Sequence, residues 1–275
     1  MSERTALLGA AAFITLMALS LSAHAQEVLR LRLGTSIVGS GIDSVLLPAF
    51  TKETGILIDV SASGAGPSLR DARSGGIDIL FVNAPEAEAV FMEAGAGAIR
   101  KPVMADHYVL VGPKSDPANV AGAASAEEAF RRIARTQSPF VSRGDDSGDA
   151  QTELSVWRKA GIEPYGDWYF ETGLGVTRSL GIATERGAYM LVDWATWLQA
   201  MADGVDRLAL LLDGDSSLPD LFSVIAVNPS MNPSVNIDRA QRFVDWLTSE
   251  PAQALIRGYE INGTHPFKPM ASQGG

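Results

Sequence analysis

The sequence of 275 residues contains no cysteine and only three histidines. Without cysteine no disulfide can form, so the folded chain relies on a hydrophobic core, which a chain of this length can bury. Only His107 and His265 follow residue 25, and the Gly-x-Ser-x-Gly pattern of many hydrolases is absent. We therefore predict that the protein is not an enzyme and that it binds no metal and no cofactor.

Basic residues are also scarce, with 22 Lys and Arg against 32 Asp and Glu, and the formal net charge is −10. Nucleic acids and anionic membranes are bound mainly through basic surfaces, so this balance argues against both as partners. An anionic ligand stays compatible with the sequence, provided that local donors rather than overall attraction hold it.

Long apolar runs are missing after residue 25. The first segment has an apolar stretch over residues 6–21 and ends in Ala23-His24-Ala25, a small-x-small pattern before Gln26. This combination predicts a signal peptide over residues 1–25 and a periplasmic location, with an uncleaved anchor as the alternative. No later stretch reaches the ~20 apolar residues that a membrane helix needs.

The rest of the sequence alternates strand and helix patterns. Residues 28–34, 56–60 and 77–82 are typical of strands, and residues 42–54 are typical of a helix that ends at Gly55. The alternation continues through the second half of the chain. It predicts an α/β fold built on open, mostly parallel sheets flanked by helices.

Four loops rich in glycine, serine and threonine, at residues 34–41, 61–68, 142–149 and 171–178, each precede a predicted helix. Free N–H groups at helix N-termini form anion sites, and open α/β sheets place such loops at one edge. Arg143 can hold an oxyanion through two parallel hydrogen bonds. Ordinary turns and caps are the alternative for any single loop. The candidate ligand-binding residues are Thr35, Ser36, Ser40, Gly66, Ser68, Arg143, Asp146, Gly173, Thr177 and Arg178.

Several longer motifs occur in the order typical of one family. They are Val82-x-Ala84-Pro85-Glu86-Ala87-Glu88, Arg100-x-Pro102-Val103-Met104, Val111-Gly112-Pro113-Lys114, Pro139-Phe140-Val141-Ser142-Arg143-Gly144-Asp145-Asp146-Ser147-Gly148, Trp168-Tyr169-x-Glu171-Thr172-Gly173 and Ile225-Ala226-Val227-Asn228-Pro229. Between residues 30 and 265 the chain resembles the tungstate-binding periplasmic proteins, which have the type II periplasmic-binding-protein fold.

The resemblance implies two lobes, each an open, mostly parallel sheet flanked by helices, with the ligand cleft between them. The implied first lobe comprises residues 26–107 and 234–275, and the second comprises residues 108–233. Strands near 108–113 and 222–227 are expected to form the hinge that closes around the ligand.

The resemblance also implies a function, which is to bind tungstate or molybdate and to deliver it to an ABC permease in the cytoplasmic membrane. We expect the receptor to be a monomer. The ligand contacts that the resemblance implies fall on Thr35, Ser36, Gly66, Ser68 and Arg143.

The chain departs from the family pattern inside the expected site. Ile37 and Gly39 replace hydroxyl residues, Asp149 replaces a threonine, Arg178 replaces an uncharged residue, and Trp194 follows Asp193 where the family has arginine. Asp149 and Arg178 pair with one another in one interpretation, which keeps the pocket for a tetrahedral anion. In the other, the ligand is a different oxyanion or an organic carboxylate that contacts Trp194 and Arg178. A ligand-sensing module without a transport role is the remaining alternative.

Overall fold

A computed structural model describes residues 28–215 and 218–271 of the chain. The predicted signal peptide over residues 1–25 lies outside the described residues. Within the described part, no helix is both long enough and apolar enough to cross a membrane.

Ten strands and ten α-helices, with a short 3-10 helix at Val120–Gly122, make up the described part of the chain. The strands are β1 (Val28–Gly34), β2 (Leu57–Ser63), β3 (Ile79–Val82), β4 (Gly97–Pro113), β5 (Phe140–Ser142), β6 (Tyr169–Glu171), β7 (Met190–Asp193), β8 (Leu208–Leu212), β9 (Pro219–Val227) and β10 (Lys268–Pro269). The helices are α1 (Thr35–Ser40), α2 (Asp43–Thr54), α3 (Ala65–Ser74), α4 (Pro85–Glu93), α5 (Ala126–Thr136), α6 (Gly148–Lys159), α7 (Val176–Arg186), α8 (Trp194–Ala202), α9 (Ile237–Leu247) and α10 (Glu250–Gly258).

The first sheet region consists of β2, β1, β3, β9 and the beginning of β4, in that order. β1 pairs in parallel with both β2 and β3, while β9 runs antiparallel to β3 and to residues 97–107 of β4. β3 is buried along its whole length, as expected for a central strand that is covered on both faces. β10 adds a short antiparallel pairing to β4.

The second sheet region repeats this order. β6 and β5 are parallel, Val141 N donates to Tyr189 O at 2.8 Å, and the neighbouring strand β7 runs antiparallel to the end of β4. β8 pairs with the same end of β4. The two regions therefore share a plan of parallel strands followed by antiparallel ones, and the predicted α/β class is confirmed.

Strand β9 lies in the first sheet region, because it hydrogen-bonds with β3 and with residues 97–107 of β4. The boundary drawn from the sequence assigned this segment to the second lobe. The segment is a continuous apolar run, which suits a central strand of either sheet, so the sequence pattern does not identify its partner. The chain returns to the first region before β9, between β8 and Pro219.

Each sheet region has its own hydrophobic core on both of its faces. In the first region, Phe50 packs in T-shaped contacts against Phe243 and Trp246, and the three ring centroids lie 4.9–6.4 Å apart. In the second, Phe130 and Trp157 lie 4.3 Å apart between α5 and α6. The two hydrophobic clusters are separate, and polar side chains lie where the two sheet regions meet.

Glu153 is a buried carboxyl group in the core of the second region, on helix α6. Its Oε1 accepts hydrogen bonds from Trp157 Nε1 at 3.0 Å and from the Tyr169 hydroxyl at 2.8 Å. Burial nevertheless raises the pKa of Glu153 from 4.5 to about 7.

We expect Glu153→Gln to stabilise the protein at alkaline pH. Between pH 4.5 and about pH 7 the folded state keeps a proton that the unfolded chain releases, so the free energy of unfolding falls as the pH rises. Glutamine keeps the acceptor oxygen without the cost of ionisation, a gain of about 1–3 kcal/mol at pH ~8. Urea unfolding at pH ~5 and pH ~8 measures the gain, which should be small at the lower pH.

The exposed Glu163→Gln is the matched control, and it should leave the free energy of unfolding unchanged at both pH values. An effect of Glu153→Gln that is the same at both pH values would contradict the assignment of a raised pKa to this group.

Candidate functional site

The candidate site is centred on Arg143, whose side chain is 2% exposed in the turn that follows β5. Nη1 forms an ion pair with Asp149, and Nη2 donates to Asp145 Oδ2 at 2.6 Å and to Thr35 Oγ1 at 2.7 Å. Nε is buried and has no hydrogen-bond partner among the described residues. Burial alone would lower the pKa of Arg143, but the charges of Asp149 and Asp145 outweigh it and raise the pKa.

Two helices begin beside this guanidinium without a side-chain cap. Helix α3 starts after Gly64, where an added Cβ would lie 3.2 Å from Asp145 Oδ2, and helix α7 starts after Gly175, where it would lie 3.3 Å from Thr35 Cγ2. The first N–H groups of α7 carry partial positive charge and have no side-chain cap, while in α3 the Gly66 N–H already donates to the Asp146 carbonyl oxygen. Together with Arg143 they form an arrangement of donors suited to an anion.

The two sheet regions touch closely around the site. Gly66 N donates to the carbonyl oxygen of Asp146 at 3.0 Å, and Arg70 forms an ion pair with the Asp146 carboxylate. A Cβ at Gly66 would lie 2.3 Å from the Asp146 carbonyl oxygen, so only glycine permits this approach. Gly148 is closer still, because its Cβ would lie 1.9 Å from the carbonyl oxygen of Asn83.

The carboxylate of Asp149 accepts hydrogen bonds from most of the donor groups around Arg143. Its residue is 2% exposed, and besides Arg143 its carboxylate accepts from Ser36 Oγ at 3.1 Å, from the Tyr108 hydroxyl at 3.1 Å and from Asn83 Nδ2 at 3.2 Å. The interpretation that Asp149 pairs with Arg178 is therefore wrong. Arg143 lies six positions earlier, in the turn before helix α6, and reaches Asp149 in the first turn of that helix directly.

Further carboxyl groups lie behind Asp149. Asp220 Oδ1 is 3.1 Å from the Tyr108 hydroxyl and 3.0 Å from Asn83 Nδ2, and Asp193 caps helix α8 by accepting from Thr196 N at 2.8 Å. Burial, and then the charge of Asp149, raise the pKa of Asp220 and of Asp193 well above the usual range. The interior next to Arg143 is therefore rich in acids that favour their protonated forms.

Six of the ten predicted residues come together around Arg143. Thr35 and Ser36 bond to Arg143 and Asp149, and Gly173 N donates to the Arg143 carbonyl oxygen at 2.7 Å. Gly66 and Asp146 join the two regions as described above. Whether these residues bind a ligand stays a prediction.

The other four predicted residues lie elsewhere or have other partners. Ser40 Oγ donates to Ile37 O at 2.7 Å and Ser68 Oγ to Gly64 O at 2.8 Å, so each hydroxyl is bonded to a carbonyl within or at the start of its own helix. Thr177 and Arg178 are exposed, and Arg178 forms no ion pair with the described residues. Trp194 stacks on His107 at 5.7 Å between ring centroids.

The sequence analysis missed Asn83, Tyr108 and Asp220 as site residues. Asn83 directly follows the buried strand β3, at the sheet edge where α/β proteins place their binding sites. Its position in the sequence could therefore have identified it as a site residue. Tyr108 and Asp220 lie within strands and carry no such signal, because only the folded sheet brings them to Asp149.

A PBP superfamily domain matches residues 22–251 of the chain. The chain therefore belongs to the periplasmic-binding-protein (PBP) superfamily. Within it, the chain is 39% identical over 244 residues to the tungstate-binding protein TupA of Peptoclostridium acidaminophilum, covering 87% of this chain and 84% of that protein.

Solved structures give the same result. The tungstate ABC transporter structure from Geobacter sulfurreducens has a TM-score of 0.77 and 39% identity, and the match covers 85% of this chain and 99% of that one. The tungstate-binding protein TupA from Desulfovibrio alaskensis G20 has a TM-score of 0.72 and 37% identity, and the match covers 90% of this chain and 100% of that one. The resemblance drawn from the sequence motifs is confirmed.

We expect Gly148→Ala to separate the two sheet regions locally and to destabilise the protein. The added methyl group collides with the Asn83 carbonyl, a backbone atom that cannot rotate away, and such overpacking costs about 1–3 kcal/mol. Gly181→Ala is the matched control, because Gly181 lies inside helix α7 with nothing within 4 Å of an added Cβ. It should gain about 0.5–1 kcal/mol.

Urea unfolding of the two variants measures both effects. Equal stability of Gly148→Ala and Gly181→Ala would show that the close approach at Asn83 is not needed.

Proposed function

We propose that the protein is the extracytoplasmic solute-binding receptor of an ABC importer, and that its ligand is tungstate, with molybdate as the closest chemical substitute. The observation that carries the proposal is the buried Arg143 guanidinium, whose Nε has no hydrogen-bond partner among the described residues, beside the first turns of α3 and α7, which have no side-chain caps. The tungstate-binding relatives described above support the choice of ligand.

A tetrahedral oxyanion suits this site because its oxygens accept hydrogen bonds and the groups proposed to bind it are N–H and hydroxyl donors. In the proposal, Arg143 supplies the compensating charge, while Thr35, Ser36 and backbone N–H groups of the helix starts donate to the oxygens. Arg178 is exposed and Trp194 stacks on His107, so neither supports an organic carboxylate as the preferred ligand.

The proposal includes two lobes that close on the ligand. Residues 28–107 and 219–271, which include β9, form the first lobe, and residues 108–213 with α5 to α8 form the second. Closure would present both lobes to a permease in the cytoplasmic membrane. In this proposal the protein is a periplasmic monomer without enzymatic activity of its own.

The test is calorimetric titration of the purified, dialysed protein with tungstate, molybdate, sulfate, phosphate and acetate, supported by thermal shift. We expect tungstate and molybdate to bind and acetate not to bind. Arg143→Lys should weaken tungstate binding roughly tenfold or more, because lysine keeps the buried charge but loses the planar fork.

The control is Arg158→Ala, which removes an exposed arginine from helix α6 and should bind tungstate as the wild type does. Failure of every oxyanion to bind, or wild-type affinity in Arg143→Lys, argues against the proposed site.

A further inference from the structure

An internal carboxylate already uses the donors that an oxyanion would need. Asp149 is paired with Arg143 and accepts hydrogen bonds from Ser36, Tyr108 and Asn83. A ligand that takes Arg143 as its partner leaves Asp149 buried without its cation. An unpaired buried charge is strongly unfavourable, so the protein must compensate for it.

The charges around the site make this compensation necessary. Arg143 is the only basic side chain among the buried residues that the structure describes, and it already contacts Asp145 as well as Asp149. Adding a dianion such as tungstate would increase the excess of negative charge in a low-dielectric interior. Either the affinity is low or a proton enters with the anion.

The hydrogen bonds behind Asp149 provide a place for such a proton. Tyr108 has one hydroxyl hydrogen, yet its oxygen lies 3.1 Å from both Asp149 Oδ1 and Asp220 Oδ1. Asn83 Nδ2 likewise contacts both carboxyl groups, at 3.2 Å and 3.0 Å. Tyr108 can donate to only one of them, so the other contact is a hydrogen bond only if that carboxyl group carries a proton and donates to Tyr108. Asp220, whose pKa is raised, favours the protonated form. Asp149, Tyr108 and Asp220 thus form a chain along which a proton can be held.

We propose that the oxyanion binds together with one proton, which the Asp149–Asp220 pair takes up, so that Asp149 couples the affinity of the site to pH. The inference rests on the proposed function. On binding, Arg143 turns its charge to the anion, and protonation of the pair removes the negative charge that Asp149 would otherwise carry alone.

The titratable and charged groups around Asp149 come from several elements. They are Arg143 and Asp145 in the turn after β5, Asp106 and Tyr108 on β4, Asp193 at the end of β7, and Asp220 on β9. Burial and neighbouring charges raise the pKa of Asp220 and of Asp193. Burial also raises the pKa of Asp106, and the hydrogen bonds with His107 offset part of that rise. Each of these carboxyl groups already favours its neutral form, so the negative charge that an incoming anion leaves without its cation is that of Asp149.

The experiment is calorimetric titration of the full protein with sodium tungstate between pH ~6.5 and pH ~8.5, in two buffers with different ionisation enthalpies at each pH. We expect about one proton to be taken up per tungstate, and Kd to fall about tenfold for each unit by which the pH falls.

Two variants remove the Asp149 carboxylate in different ways. Asp149→Thr restores the residue that the family resemblance implies, and Asp149→Asn keeps the shape of the side chain but cannot take up a proton. Both should bind tungstate with little dependence on pH, and Asp149→Thr should bind more tightly than the wild type at pH ~8.5, by roughly tenfold or more.

Glu153→Gln is the matched control, since it removes another buried carboxyl group of helix α6 that faces Trp157 and Tyr169 instead of the site. It should keep the proton uptake of the wild type. Circular dichroism establishes that each variant is folded, and the two-buffer measurement on the wild type requires no variant.

Tungstate binding to the wild type without proton uptake overturns the inference and leaves the proposed function standing. The same pH dependence in Asp149→Asn as in the wild type also overturns it. If neither the wild type nor Asp149→Thr binds tungstate or molybdate at any pH, the proposed function fails and the inference fails with it.

Discussion

The rest of the site depends on the burial of one guanidinium group. A buried charge is tolerated only when it is paired and hydrogen-bonded, and Arg143 draws those partners from both sheet regions. Thr35 comes from the first region, and Asp145 and Asp149 come from the second. Because Asp149 in turn accepts from Ser36 and Asn83, the ion pair holds together segments that are more than 100 positions apart in the sequence.

This polar contact requires the backbones to approach closely, and glycine makes the approach possible. Gly66 and Gly148 face carbonyl oxygens of the opposite region at distances that any side chain would block. Gly64 and Gly175 begin helices α3 and α7 next to the partners of Arg143. Small residues that the sequence suggests as ligand contacts therefore have a second role, which is to let the two regions meet.

The sequence was sufficient for the α/β class and for most strands and helices, because hydrophobic periodicity is a local signal. A long motif drew attention to Arg143, which lies between the two sheet regions, and its role as a ligand contact stays a prediction. The sequence was not sufficient for the pairing of β9, since an apolar run does not reveal which sheet it joins. It was also insufficient for the partner of Asp149. Two unusual charges, Asp149 and Arg178, suggested a pair, but a ten-residue motif had already placed Arg143 nearer. Ser68 falls on a ligand position that the family resemblance implies, but in the folded helix its hydroxyl donates to the Gly64 carbonyl oxygen.

Strand β4 has a consequence for the molecule as a whole. Its 17 residues run without a break from one sheet region into the other, pairing first with β9 and then with β7 and β8. Neither region can lose its order without removing a partner strand from its neighbour. Although the two hydrophobic cores are separate, they are linked through one backbone, so the order of each region is coupled to that of the other.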